Sequence, residues 1–214
     1  MRTVALALLP TLLAAQTTFS PDRETALIRA VSEEYRKRVT VVEHDAAREY
    51  LSALAASFRP LLPATVPALT VVLTRPSIRQ PSRAPAVVPD GQIMVPIPSI
   101  TAATDEIEFA RHFAHALAHI ALRHGFRTAD RTTTNSGGIP LIFFGGWLCS
   151  YEQQLVPIAW RAKIQGDEAE ADAYGSLLLE AFRPNPAFAA LQAELRALTP
   201  PPRPPTLRRT SEAR

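Results

Sequence analysis

With 214 residues, 47% of them hydrophobic and 20% charged, the chain is long enough for one domain with a sizeable core and has an ordinary globular composition. Its net charge of +3 resides in the last sixteen residues, Thr199 to Arg214, which hold four arginines and one glutamate; the other 198 carry 19 basic and 19 acidic side chains. That balance leaves the folded part without a basic face for nucleic acid, and the single cysteine, Cys149, excludes an intramolecular disulfide.

The first residues, MRTVALALLPTLLAAQ, have the layout of a secretory signal peptide: Arg2, an apolar stretch from Val4 to Leu13, then Ala14 and Ala15 as small residues before a cut. The apolar run is shorter than the roughly 20 residues of a membrane span. An uncleaved anchor is the alternative, and no cysteine follows for lipid attachment. The expected organisation is a signal peptide over 1–15, one domain over 22–198 and a disordered Pro/Arg-rich tail over 199–214. After cleavage near Ala15 the chain is expected to be exported, periplasmic or extracellular, with no transmembrane helix.

Arg23 to Val39 reads as a helix, and Ala46 to Phe58 as a second, stopped near Pro60. His44, between them, reads as a surface histidine. Ala68 to Leu73 is a short β-branched run between prolines and predicts a strand. In APAVVPDGQIMVPIPSI, two apolar runs flank Pro89-Asp90-Gly91, which predicts a hairpin. Pro85, Pro96 and Pro98 argue for edge positions, because proline cannot donate to a ladder.

Asp105 to Gly125, DEIEFARHFAHALAHIALRHG, predicts a helix of about 20 residues, roughly 30 Å long. Asp105 and Glu108 have capping-box spacing, and Asp105 and Glu106 place negative charge in the first turn. Ile107, Phe109, Phe113, Leu117, Ile120 and Ala121 recur near helical spacing, and Gly125 suits the position just past the end. Beyond it, Thr128 to Gly138 reads as a loop, and Ile139 to Trp147 as an apolar core segment. Cys149 reads as a buried, inert thiol. Asp167 to Phe182 reads as a helix opened by a second capping-box pair, Asp167 and Glu170, and ended before Pro184. Ala187 to Leu198 adds a last one.

His115 and His119 are four residues apart, so both imidazoles leave one helix face about a turn apart, within reach of one tetrahedral zinc ion. In the metalloprotease motif H-E-x-x-H the residue after the first histidine is the general base. Here it is Ala116, so the ligand spacing is kept and the base is missing. Glu168 and Asp172, also four apart, share a face; one can ligate a metal while the other orients a histidine ring, although such pairs are often only a solvated face. On a helical wheel, Glu108, His112, His115 and His119 fall within about 60°. Glu108 lies about 10 Å along the axis from His115, too far to reach the same water. His112 is one turn away; a satisfied interior histidine is the reading preferred over a base or an alternative ligand.

The run EIEFARHFAHALAHIALRHG, followed about fifty residues later by EAEAD, resembles the zinc metallopeptidases of the HtpX and CAAX prenyl protease family. Members carry H-E-x-x-H, often extended to H-E-x-x-H-x-x-x-x-H-G, then E-x-x-x-D. APAVVPDGQIMV resembles their N-A-F-A-x-P-G-G-x-I-x-V stretch, with Ala84 in place of the Asn and Asp90 in place of a Gly. The resemblance covers Val41 to Pro186 in the family's order.

It implies an α+β fold of the zincin-like metallopeptidase type, with helices around a small edge-exposed sheet and a zinc site between two helices. It also implies His115, His119 and Glu168 as zinc ligands, Asp172 as the carboxylate behind them, and His124-Gly125 as the helix end. The hairpin's first strand, Ala84, Pro85, Ala86, Val87 and Val88, becomes the edge expected to pair with extended peptide. Loss of a general base costs typically 10²–10⁴-fold. The expected protein is therefore an exported, zinc-binding pseudopeptidase with little or no endopeptidase activity. The alternative is an active zinc endopeptidase with another proton acceptor.

Overall fold

The structure, a computed structural model, describes residues 22, 25, 26, 28, 29, 32, 33, 36, 39–75, 84–88, 90–124 and 158–198, with side chains of the last stretch from Gly166 onward. The signal-like segment, the 128–138 loop, the Ile139–Trp147 run, Cys149, Gly125 and the tail lie outside these residues. The scattered positions between 22 and 36 are all helical, in keeping with the helix predicted from Arg23, whereas Val39, its predicted last residue, is not helical.

Among the described residues the fold is α+β, with a four-stranded sheet and helices packed against it. Strand β1 is Thr40–Val41, β2 is Thr70–Arg75, β3 is Ala86–Val87 and β4 is Gln92–Pro96, in the sheet order β1-β2-β4-β3. β2 and β4 run parallel, with Thr70 opposite Gln92 and Thr74 opposite Pro96, while β1 and β3 pair antiparallel at the two edges. Helix α1 spans Asp45–Phe58, α2 Ile97–Thr101, α3 Glu106–Ala121, α4 Ile158–Glu180 and α5 Ala187–Ala197.

The predicted hairpin forms between β3 and β4. Val88 N–H donates to Gln92 O at 2.8 Å and Gly91 N–H to Val88 O at 2.9 Å, and Asp90 Oδ1 accepts from Gln92 N–H at 3.0 Å. Gly91 has φ +89°, and a Cβ there would lie 2.4 Å from Ala68 O, so the turn needs glycine on both counts. β4 is nevertheless an interior strand, contrary to the edge position its prolines suggest. Pro96 is its last residue and β3 ends opposite Met94, so the ladder with β3 never reaches the missing N–H. Pro96 then serves as the residue before α2.

Aromatic rings tie the helices together. Phe58 of α1 stacks on Phe113 of α3 and on Phe182, both at 6.3 Å, while Phe109 stacks on Phe188 of α5 at 5.7 Å. Phe58, Phe109, Phe113 and Leu117 are almost wholly buried, so the apolar stripe of α3 faces this core. Ile107 does not share it and is 48% exposed. His44 does more than sit at the surface: its Nδ1 accepts the Ala47 N–H at 3.2 Å and so caps α1.

Candidate metal centre

α3 begins as its sequence dictates. Asp105 Oδ1 accepts the Glu108 N–H at 2.8 Å, and the Glu108 carboxylate takes the Thr104 N–H at 2.6 Å and hydroxyl at 2.7 Å. The helix ends at Ala121, short of the predicted end, because Leu122 is its C-cap and Arg123 takes the left-handed turn at φ 55°. Arg123 is the residue that turns the chain at the end of α3; the predicted Gly125 lies outside the described residues. The turn carries His124 back toward the helix it has just left.

α4 starts well before Asp167, which corrects the reading of Asp167 and Glu170 as its capping pair. Capping-box spacing and one-turn spacing on a helix face are the same three residues. Gly166 is the only weak helix former before Asp167, and the helix continues through it. Asp167, Glu168, Glu170 and Asp172 therefore all lie inside one helix, packed against α3.

Gly175 permits the close approach. A Cβ at this position would meet His115 N at 3.1 Å and its Cα at 3.2 Å, so the two backbones nearly touch one turn beyond Asp172. That crossing brings Glu168 and Asp172 to the histidines. His115 Nδ1 lies 2.8 Å from Asp172 Oδ1, and its Nε2 lies 3.2 Å from Glu168 Oε2. His119 Nε2 lies 3.0 Å from His115 Nε2 and 3.6 Å from Glu168 Oε1. His119 is 5% exposed, and Asp172 reaches in from a largely solvated position.

These separations can be tested against a metal. A tetrahedral zinc with bonds of about 2.0–2.1 Å keeps its ligand atoms about 3.3–3.4 Å apart. The separations here, 3.0 Å between the two imidazole Nε2 atoms and 3.2 and 3.6 Å from them to the two different oxygens of Glu168, lie around that value, and His115, His119 and Glu168 offer the two imidazoles and one carboxylate of an open site. With Asp172 accepting from Nδ1–H, a neutral His115 would present its Nε2 lone pair to a metal. The residues present fit a divalent metal.

Electrostatics agree with a tightly shared site. Burial pushes the Glu168 carboxyl upward, but hydrogen bonds from His115 and His119 outweigh it and hold the group well below the usual carboxylate range. The Glu168 hydrogen bond raises the His115 imidazole above its ordinary value; burial opposes this, while the Glu168 charge and Asp172 reinforce it.

The remaining sequence-predicted residues fall as follows. Ala116, 1% exposed, lies in the apolar core beside Leu117 and Phe113. His112 is exposed on α3, which corrects its reading as an interior histidine. Of the substrate-strand residues, Ala86 and Val87 form β3, and Pro85 to Val88 are buried; what β3 would offer a partner is its backbone edge, beside α3.

Sequence reasoning missed His124 as more than a helix end. Its Nδ1 lies 3.0 Å from His119 Nδ1 and its Nε2 3.3 Å from Glu170 Oε2. The available signal was the H-x-x-x-x-H spacing, which on a straight helix would splay the two rings apart. Among the described residues no helix is long and apolar enough to cross a membrane. Compared with family models and with curated proteins, the chain matches none.

Proposed function

We propose that the protein is an exported, zinc-binding, metallopeptidase-like protein in which endopeptidase activity is absent or strongly reduced. The observation that carries this reading is the convergence of His115, His119 and Glu168 within mutual ligand distance, with alanine directly after His115. One histidine pair on α3 and one carboxylate on α4, backed by Asp172, is the donor set of the zincin-like arrangement that the sequence resembles.

Zinc bound there would acidify a water molecule and polarise a carbonyl. The chain itself supplies the rest. Glu168 and His119 hold the site inside the crossing of α3 and α4, and Asp172 orients His115. Ala116 has only a methyl group, so it can neither take a proton from water nor pass one to a leaving amine. β3, an edge strand beside α3, is the surface on which an extended peptide ligand would be added.

The test is metal content of the purified chain together with a casein or peptide-library cleavage assay. About one zinc per chain without cleavage is the expected result, and absence of zinc would overturn the reading. The companion variant is Ala116→Glu. A gain of 10²-fold or more, on the order of what a general base supplies, would show a cleft lacking only its base. Zinc binding with no gain would point to a peptide-binding domain whose cleft has diverged. Chelator-sensitive cleavage by the unaltered chain would instead favour an active peptidase with a different proton acceptor.

A further inference from the structure

Beside the first group stands another set of donors that shares none of its residues. His124 is 3% exposed and Asp167 is 6% exposed, yet both are polar and Asp167 is a carboxylic acid. Glu170 lies one turn along α4 from Asp167 and is half exposed. One donor atom from each of the three lies within 4.8 Å of the other two. None of these residues takes part in the proposed zinc chemistry.

Their placement is set by the backbone. Arg123, directly after the α3 C-cap, occupies the left-handed region in which helices commonly end. The result is that the His124 ring enters the space against α4, with Nε2 facing Glu170 at 3.3 Å and Nδ1 facing His119 at 3.0 Å. Asp167 and Glu170 lie one turn apart on the same helix face, so their carboxylates and the His124 ring converge on one volume.

We propose that His124, Asp167 and Glu170 form a second divalent-cation site. One imidazole and two carboxylates make a set of intermediate hardness, suited to zinc or manganese and to cobalt as a probe. The half-exposed Glu170 leaves this site open on its solvent side. The proposal does not depend on peptidase ancestry. It requires only that a cation is taken up outside His115, His119 and Glu168.

Equilibrium dialysis of the full chain against graded zinc, and separately against cobalt with its visible spectrum recorded, tests this. The unaltered chain should show a tighter and a weaker uptake. Asp167→Asn with Glu170→Gln should abolish the weaker one and spare the tighter, with an unchanged circular dichroism spectrum. His115→Ala with Glu168→Gln should do the reverse. A single uptake that the Asp167→Asn, Glu170→Gln chain retains in full would overturn the proposal. So would uptake by the His115→Ala, Glu168→Gln chain that persists when Asp167 and Glu170 are also replaced. Should the His115→Ala, Glu168→Gln chain not fold, the comparison between the unaltered and Asp167→Asn, Glu170→Gln chains decides the matter alone.

Discussion

Glu168 is the residue on which the first site turns, because it alone faces both imidazoles. Glu168→Gln keeps the shape and removes the charge, and it is expected to weaken zinc binding by at least tenfold, on the scale seen when even outer carboxylates are lost. His112→Ala, on the exposed side, should change binding less than about twofold. Competition with a chromophoric chelator measures both; equal losses would refute the ligand assignment. The pH dependence of the metal-free chain follows from the same pair. His115 titrates above its ordinary value of about 6.5 when folded, so its share of stability is complete below that value and is lost as pH rises through the raised one. Glu168 titrates below its ordinary value of about 4.3, so its share is present above that and is lost as pH falls toward the depressed one. Metal-free protein should therefore resist urea better at pH 6 than at pH 8.5, and Glu168→Gln should remove most of the difference. If the urea midpoints of that variant keep the same pH slope, His115 is not held by Glu168.

At the scale of elements, the crossing of α3 and α4 is fixed by what Gly175 lacks. Gly175→Val would set a branched side chain against the His115 backbone, already 3.1 Å from a bare Cβ. The helices must then part, and overpacking of this kind costs roughly 1–3 kcal/mol. Zinc affinity should fall along with stability, whereas a stability loss with affinity intact would mean the crossing does not position the ligands. The other end of α3 is held differently. Glu106, read from sequence as charge for the helix dipole, is buried and accepts from the Tyr50 hydroxyl and the Asn185 N–H, both at 2.6 Å. Burial, and after it the bond to Glu106, push the Tyr50 hydroxyl far above its usual pKa, so it remains a donor.

These examples mark what a sequence can and cannot display. The His115–His119 face, the Asp105 cap and the Pro89-Asp90-Gly91 turn depend on neighbours within four residues, and all were legible. The role of Glu106 depends on Tyr50 and Asn185, far away in sequence, and that of Gly175 on the backbone of His115. Asp167 and Glu170 were misread because a cap and a helix face use the same spacing. His124 was missed because a left-handed Arg123 leaves no mark in composition.

On the scale of the whole molecule, the first site joins α3 in the middle of the chain to α4 near its end, and both pack into the same hydrophobic core as α1 and α5. A cation bound there acts as a crosslink between the two helices. At free zinc a hundred times the dissociation constant, binding adds about 2.7 kcal/mol to folding. For a domain of this size that corresponds to roughly 5–10 °C in Tm. Chelation should lower the melting temperature by about that much, as read by calorimetry, and the Glu168→Gln chain should lose most of that response. A chelator effect of equal size in that variant would place the stabilising metal elsewhere.

The contact between His119 and His124 carries a consequence for how the two groups speak to each other. Two neutral imidazoles whose Nδ1 atoms lie 3.0 Å apart hold one hydrogen between them. If His119 owns it, His119 has a lone pair on the side of Glu168, and His124 points its own hydrogen at Glu170. If His124 owns it, the roles reverse. A cation on one side thus decides the ownership and turns the other ring's hydrogen toward the opposite ligands. To load both sides, that hydrogen must leave or the rings must part. The two sites are in this way antagonists through a single hydrogen atom.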